Sequence, residues 1–408
     1  MDGESLKPLG RHEKRVWEVR PGGEGGRKAR RAGTYEAFVP AEIAQRDFVL
    51  DGGAVTRIAA ATKALAGLNG SSPHSASLGA LADALMRSES VASSWIEGLE
   101  VSQRRLARAA FAVAEGSSRD AKALEILGNV EAMRQAIELG AAGASISVEH
   151  LREIHRTLLR RSSDRRIAGV IRGGQNWIGS NPYTPLDADY IPPPPEHVEP
   201  LLEDLCRFVA RDDLAPIAQA AIAHAQFENI HPFMDGNGRV GRTLIHVILR
   251  RTGEAPKYVP PISLVLAAAP KAYVAGFGEY SGGDVSSWCE HFAIATERAA
   301  IEAERFGSQI DELQESWLER LGRPRADAAV RRLIAELPSQ PVVSVAGASR
   351  LIGRSGEAAR NALIQMETVG IVHPLNERKW GRAWECRELL DLVEKFERSV
   401  REPTPVGQ

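Results

Sequence analysis

The segment His231-Pro232-Phe233-Met234-Asp235-Gly236-Asn237-Gly238-Arg239-Val240-Gly241-Arg242 constrains this chain more than any other stretch. The run before it, Ala215 to Asn229, is rich in alanine and favours helix. With a second helix starting at about Asn237, the segment has to fold as a loop between two helices. Its glycines can take positive φ and let successive backbone N–H groups converge on one point, which makes an anion-binding concavity. The positive dipole end of the second helix would face that point, and Arg239 and Arg242, three apart, would emerge on one face of its first turns. Asp235 is a hard oxygen ligand suited to Mg²⁺ against phosphates, and His231 can take a proton near neutral pH. The combination reads as phosphoryl or nucleotidyl transfer. Gly236-x-Gly238-x-x-Gly241 also matches a dinucleotide-binding fingerprint, but that turn follows a buried β-branched strand, and here the upstream run is helical.

At 408 residues the chain exceeds one typical core, and two or three domains are expected. Hydrophobic residues at 43% and charged residues at 25% suit a soluble globular protein, and a net charge of -2 gives no general attraction to nucleic acid or membrane. Cys206, Cys289 and Cys386 are far apart and odd in number, so they read as buried small hydrophobes rather than disulfides or zinc ligands. The polar N-terminus and the short apolar run Ile262 to Ala269, broken by Pro270 and Lys271, argue against a signal peptide or membrane span. The cytoplasm is the default location.

Residues 1–32 mix basic residues with glycine and offer little to bury, so an extended or mobile arm is expected. From Tyr35 to about Val113 the patterns read as helical, with Gly98 as a helix C-cap after the apolar repeat that begins at Leu78. Further helices are expected at Ala121–Leu139, Val148–Arg160 and Glu196–Ala210, and on both sides of the loop. A short β-hairpin is expected at about Gly169–Tyr190. The proline run at 192–195 would stiffen the chain before the helix at Glu196. A long helix from about Ser286 to Leu321, interrupted or bent, would end at the boundary Gly322-Arg323-Pro324-Arg325. In the tail, Val343–Ile352 and Ser355–Val369 read as a helix-turn-helix with Gly353 in its turn, and Ile371–Trp384 as a wing with Arg378, Lys379 and Arg382 near its tip.

The loop segment resembles the Fic (filamentation induced by cAMP) family, matching its HxFx(D/E)GNGRxxR signature at every defined position. The stretches Gly169-Val170-Ile171-Arg172, Gln175-Asn176-Trp177-Ile178-Gly179 and Tyr190-Ile191-Pro192-Pro193 look like the strand pair that precedes the family's active-site helices. The resemblance covers roughly residues 35 to 300. It implies a mainly α fold, a helical bundle with a β-hairpin flap, to which the pattern of the tail adds the winged helix-turn-helix module. It also implies transfer of AMP from ATP, with Mg²⁺, to a Ser, Thr or Tyr hydroxyl of a protein substrate. In that reading His231 accepts the hydroxyl proton, Asp235 holds Mg²⁺, and Gly236, Asn237, Gly238, Arg239 and Arg242 hold the phosphates. Trp177, Ile178, Gly179 and Tyr190 would form the flap that pairs with an extended target segment. Ser93-Ser94-Trp95-Ile96-Glu97-Gly98 matches the family's (S/T)xxxE(G/N) inhibitory motif, so Glu97, with Ser93, would be regulatory and pair with Arg242, keeping it from the ATP γ-phosphate.

Phe233 reads as a packing anchor, and His155, His224 and His246, lying in apolar helical patterns, read as structural. The expected division is an arm (1–32), an N-terminal helical region with the inhibitory helix (33–113), a catalytic core (114–300), a helical linker (301–335) and the winged-helix domain (336–408). A homodimer is compatible with the helical flanks. DNA binding by the tail has thin support, because Ser355–Val369 carries Arg360 against Glu357 and Glu367. The alternatives are a relative that uses another nucleotide or removes AMP, and a winged-helix regulator whose loop only senses nucleotide.

Overall fold

A computed structural model describes residues 7–18, 31–70, 78–179, 181, 183–375 and 382–402. In chain order the elements are β1 (Gly10–Trp17), β2 (Gly33–Pro40), α1 (Gly52–Gly70), α2 (Leu78–Ile96), α3 (Gln103–Ala114), α4 (Ala121–Ala141), α5 (Val148–Leu159), α6 (Pro195–Val209), α7 (Pro216–Ile230), α8 (Asn237–Arg251), α9 (Ile262–Leu266), α10 (Pro270–Gly282) and α11 (Val285–Arg320). They continue with α12 (Ala329–Glu336), β3 (Val342–Ser344), α13 (Val345–Ile352), α14 (Gly356–Thr368), β4 (His373–Pro374), β5 (Ala383–Glu385) and α15 (Arg387–Arg401).

The chain divides into two compact units, Met1–Ala60 with Gln135–Thr252 and Lys271–Ile294, and Ala61–Arg134 with Gly253–Pro270 and Ala295–Gln408. These units do not follow the linear division expected from composition, because helices α1, α4 and α11 each supply residues to both. In particular, residues 301–335 are not a linker to a separate tail, since the tail shares its unit with residues 61–134.

In the first unit α7 is buried on nearly every side, as expected of a helix at the centre of a bundle. Its two buried glutamines are tied to neighbouring elements: Gln219 Nε2 donates to the Phe208 carbonyl (3.0 Å), and Gln226 donates to the Ala41 carbonyl (2.8 Å) and accepts from the Tyr280 hydroxyl (3.0 Å). Helix α8 packs along α7, with Gly241 at a point of close approach. A Cβ there would lie 2.5 Å from Glu228 Oε1 and 3.0 Å from His224 Nδ1. Helices α5 and α6 complete the bundle around the loop.

Two expectations fail at the N-terminal end. Residues 10–17, assigned to a free arm, form strand β1, which pairs antiparallel with β2 from Gly10↔Pro40 to Trp17↔Gly33. Tyr35 to Val39 is likewise strand, not helix, because the aromatic and β-branched residues Tyr35, Phe38 and Val39 favour a pleated, largely buried surface. The Phe38 N–H then donates to the Ile191 carbonyl at 2.8 Å, which ties β2 to the segment before α6. Of the hairpin expected at Gly169–Tyr190, the described residues show one antiparallel bridge, Ile178↔Tyr190, closing a loop that contains a 3₁₀ turn at Pro185–Asp187. Two prolines and four glycines in this stretch leave too few donors and too little stiffness for a longer ladder.

In the second unit α2 is buried through much of its length, and its polar residues are matched by neighbours. Glu89 accepts from the Ser263 N–H (2.7 Å) and hydroxyl (2.5 Å), and Asn129 Nδ2 donates to the Ser90 carbonyl (2.7 Å) and Ser94 Oγ (3.1 Å). Helix α11 runs for 36 residues without the expected interruption and stops at Gly322 (φ 72°) and Arg323 (φ 53°). The tail has the order helix, strand, helix, helix, strand, strand, helix, with a three-stranded antiparallel sheet β3-β5-β4. Gly353 takes φ 60° between α13 and α14, as expected. Val342 to Ser344 is strand rather than the start of α13, whose N-cap is Ser344. Arg378 and Lys379 lie outside the described residues. All three cysteines are buried and free, with burial pushing each thiol up to about 12.

Candidate active site

The loop between α7 and α8 begins with a strained residue. His231 sits in the left-handed region (φ 49°, ψ 60°), closing α7 with an N–H bond to the Phe227 carbonyl at 2.9 Å. A side-chain-bearing residue holds that conformation only where its surroundings enforce it. Much of the enforcement comes from Arg172, which is 3% exposed and surrounded by main-chain carbonyls. Its Nε donates to His231 O (2.8 Å), Nη2 to Pro193 O (2.6 Å) and Ile230 O (3.3 Å), and Nη1 to Gly174 O (3.1 Å). Its own N–H donates to Pro232 O at 3.0 Å. Burial lowers its pKa to about 10, which still leaves it charged at neutral pH.

The next residues hang from Phe233, which is fully buried and stacked on the His155 ring at 3.8 Å between centroids. The Asn237 side chain closes the turn on it, accepting from the Phe233 N–H and donating to the Phe233 carbonyl, both at 2.8 Å. Asn176 Nδ2 donates to that carbonyl as well, at 2.9 Å. The Asn237 side chain is therefore committed to shaping the loop, so its contribution to an anion is through its backbone N–H. Phe233 is the packing anchor that the sequence suggested.

His155 supports the far side of the loop. The Gly169 N–H donates to its Nδ1 at 2.9 Å, which assigns the proton to Nε2 and makes that nitrogen the donor to Asp235 O at 3.0 Å. Burial, together with the charge of Arg239, lowers its pKa to about 4, so the ring is neutral. Gly236 follows with φ 80°, where a Cβ would lie 3.0 Å from Leu158, and caps α8. The first α8 hydrogen bond runs from Val240 N to Gly236 O, so the amides of Asn237, Gly238 and Arg239 have no acceptor within the helix.

Two buried guanidiniums stand at this helix start: Arg239 is 3% and Arg242 1% exposed. Arg239 Nη2 lies 2.9 Å from Asp235 Oδ2, while the Asp235 side chain is 48% exposed. Arg242 Nη1 donates to the Tyr273 hydroxyl (3.3 Å), which also meets His224 Nε2 (2.6 Å). Burial first, then the Arg242 charge, lowers the His224 pKa to about 3, so no proton competes with the arginine there. His155, His224 and the fully buried His246 are structural, as their apolar patterns indicated.

The structure thus brings His231, Asp235, Gly236, Asn237, Gly238, Arg239 and Arg242 together on one loop and the first turns of α8. Of the flap residues, Ile178 carries the bridge to Tyr190, with N–H to O distances of 2.8 and 3.1 Å, and keeps its side chain 45% exposed. Tyr190 faces inward, its hydroxyl donating to Asn229 O at 2.7 Å, and the Trp177 indole donates to Asn181 O at 2.7 Å and meets Trp17 edge-on. A Cβ on Gly179 would come within 3.1 Å of Ala188. Ser93 and Glu97 belong to the second unit: Ser93 is fully buried, and Glu97 is exposed just past α2, in a turn closed by Gly98 N to Trp95 O (2.9 Å) and Leu99 N to Ser94 O (2.9 Å). Sequence reasoning did not assign Arg172, Asn176, Tyr273 or the loop contacts of His155. Arg172 stood within the motif that carried the resemblance, but its partners are carbonyls spread along the chain and leave no mark on composition.

The fold and the loop define a mainly helical protein whose candidate site sets an imidazole beside a helix start that carries two buried arginines. The Fic/DOC family model matches residues 145–249, and the Fic/DOC family N-terminal model matches 55–138. It is 36% identical over 118 residues to protein adenylyltransferase fic-1 of Caenorhabditis elegans (28% of this chain, 21% of that protein) and 30% identical over 178 residues to protein adenylyltransferase Fic of Nematostella vectensis (43% and 38%). The chain therefore spans about a fifth to two fifths of the length of these relatives. The fold is shared with a Fic family protein from Desulfovibrio desulfuricans (TM-score 0.52, 20% identity, 84% of this chain and 98% of that one). It is also shared with a Fic domain containing signaling protein from Bacteroides thetaiotaomicron (TM-score 0.50, 18% identity, 62% and 97%).

Proposed function

We propose that this protein transfers AMP from ATP to a hydroxyl side chain of a target protein. The observation that carries this reading is the arrangement of one loop. His231 is held in a strained conformation at the end of α7, and directly after it the amides at the start of α8 and the buried Arg239 and Arg242 converge on the place a phosphate chain would take. The target hydroxyl oxygen attacks the α-phosphorus in line, its proton passes to His231, the bond to the β-phosphate oxygen breaks, and pyrophosphate leaves. The amides of Asn237, Gly238 and Arg239, with both guanidiniums, stabilise the charge that develops on the phosphates.

The donor set also fits Mg²⁺: Asp235 is a half-exposed carboxylate next to the anion site, and Mg²⁺ is commonly held by one or two carboxylates plus substrate phosphates. The ion would neutralise phosphate charge there, and Asp235 would turn from Arg239 to hold it, freeing Arg239 for the nucleotide. Glu97, by the motif it completes, is proposed as the restraint on Arg242, with the buried Ser93 setting the register of α2. The exposed Ile178 and the bridged loop at 177–190 would receive an extended stretch of the target. The tail, with a helix pair over a three-stranded antiparallel sheet, is read as a winged helix.

The test is transfer of label from α-labelled ATP with Mg²⁺, comparing wild type, Glu97→Gly and Glu97→Gly/His231→Ala. Label on protein in the single variant and its loss in the double variant is the expected result. Equal label with and without His231 would overturn the assignment of the base, and no label in any lane would overturn adenylyl transfer.

A further inference from the structure

Helix α15, at the end of the tail, grips the last turn of α2, just before Glu97. Arg401, in its last turn, places its guanidinium 4.4 Å from the centre of the Trp95 ring. Trp95 is two residues before Glu97 and packs on the core formed by Val91, Val101, Leu106, Ala109, Ala123 and Ile126. Its carbonyl accepts from Gly98, so a fixed Trp95 also fixes the turn that presents Glu97. One helical turn before Arg401, the buried Glu397 accepts from Gln103 Nε2, just past that same turn. Burial pushes the Glu397 carboxyl up to about 8, so near neutral pH it enters this junction largely as a neutral acid.

Helix α15 is itself held firmly. Arg298 of α11 caps its C-terminal end through the Val400 (2.7 Å) and Glu402 (3.0 Å) carbonyls, and Phe396 stacks on Phe306 at 4.4 Å. Arg104 pairs with Asp391 (2.7 Å), and Arg108 reaches Glu385 of β5 (2.7 Å). A single buried residue, Cys386, separates β5 from α15, so a shift of the tail's sheet passes directly into the helix.

We infer that α15 is a brace on α2, with Arg401 and Glu397 positioning Glu97, so that the tail regulates the site by tightening or loosening this grip. The inference rests on the reading of Glu97 as the inhibitory carboxylate. A cation over an indole with Glu397 left intact accounts for only part of the grip, and its loss should speed opening of the turn about three- to fivefold.

The experiment measures label transfer from α-labelled ATP and amide hydrogen exchange at residues 93–99 in the full chain. Variants are Arg401→Ala, Arg401→Lys, Glu397→Ala and Glu97→Gly. Arg401 is exposed, so its substitution leaves the core intact. The expected result is faster exchange and more label in Arg401→Ala and Glu397→Ala, with Arg401→Lys close to wild type because a cation remains over the ring. Unchanged exchange in Arg401→Ala and Glu397→Ala, whatever the label, overturns the brace. Faster exchange with no gain of label, in the presence of an active Glu97→Gly, overturns the regulation. Should Glu97→Gly be no more active than wild type, the inhibitory reading of Glu97 fails and the regulation fails with it, while exchange still decides the mechanical link.

Discussion

Acidification should release the loop from His231 to Arg242 through His155. The ring accepts the Gly169 N–H on Nδ1 and donates to Asp235 O from Nε2, an arrangement that only the neutral imidazole can make. Protonation of Nδ1 would set two donors against each other in a fully buried place. The folded pKa is lowered from 6.5 to about 4, so the unfolded chain binds the proton first as pH falls. The stability contributed by neutral His155 is therefore fully present above pH 6.5 and is lost as pH drops toward about 4. The difference corresponds to about 3 kcal/mol in all, of which about 2 kcal/mol is gone by pH 5. Denaturant unfolding at pH 7 and pH 5, for wild type and His155→Gln, isolates this contribution. His224, also lowered by burial, titrates alike in both proteins and cancels in the comparison. Wild type should lose about 2 kcal/mol more than the variant between the two conditions. An equal loss in both, or an imidazole that NMR shows charging at the ordinary pKa, would refute the argument.

Asn237→Ala strands the Phe233 N–H in a buried turn, at a cost of about 1–3 kcal/mol. Label transfer by the Glu97→Gly protein should fall by roughly ten- to a hundredfold, on the ordinary conversion of barrier to rate. Arg172→Lys replaces a guanidinium serving four carbonyls with one ammonium, so transfer should fall about a hundredfold as His231 loses its position, while far-UV circular dichroism stays that of wild type. Gly241→Ala puts a Cβ 2.5 Å from Glu228 Oε1 and should cost about 1–3 kcal/mol, read as a lower thermal midpoint.

Much of the site was legible because it is local. The loop from His231 to Arg242 and the start of α8 at Asn237 follow from glycines that permit positive φ, an alanine-rich run before them and two arginines three apart. Helix α5 follows from apolar periodicity and its Ser147 cap, and α7 from its alanine-rich run. The N-terminal hairpin was missed because the pairing of β1 with β2 depends on residues far enough apart that neither strand declares its partner. The expected ladder at Gly169–Tyr190 reduced to one bridge because the same prolines and glycines that mark the stretch deprive it of hydrogen-bond donors and rigidity.

The sequence by itself determined which groups the proposed chemistry would use, because an imidazole, a carboxylate, a helix start and paired arginines lie within twelve consecutive residues. Tertiary structure alone decided how that chemistry is held. Arg172 binds four carbonyls contributed from residues 174 to 231, His155 reaches the loop from α5, and Tyr273 reaches Arg242 from α10. It also decided that α15 would lie on the last turn of α2, just before Glu97, with about three hundred residues of chain between them. These contacts are made between groups distant in sequence, and they form only when burial of apolar surface brings their elements together and leaves each buried polar group in need of a partner.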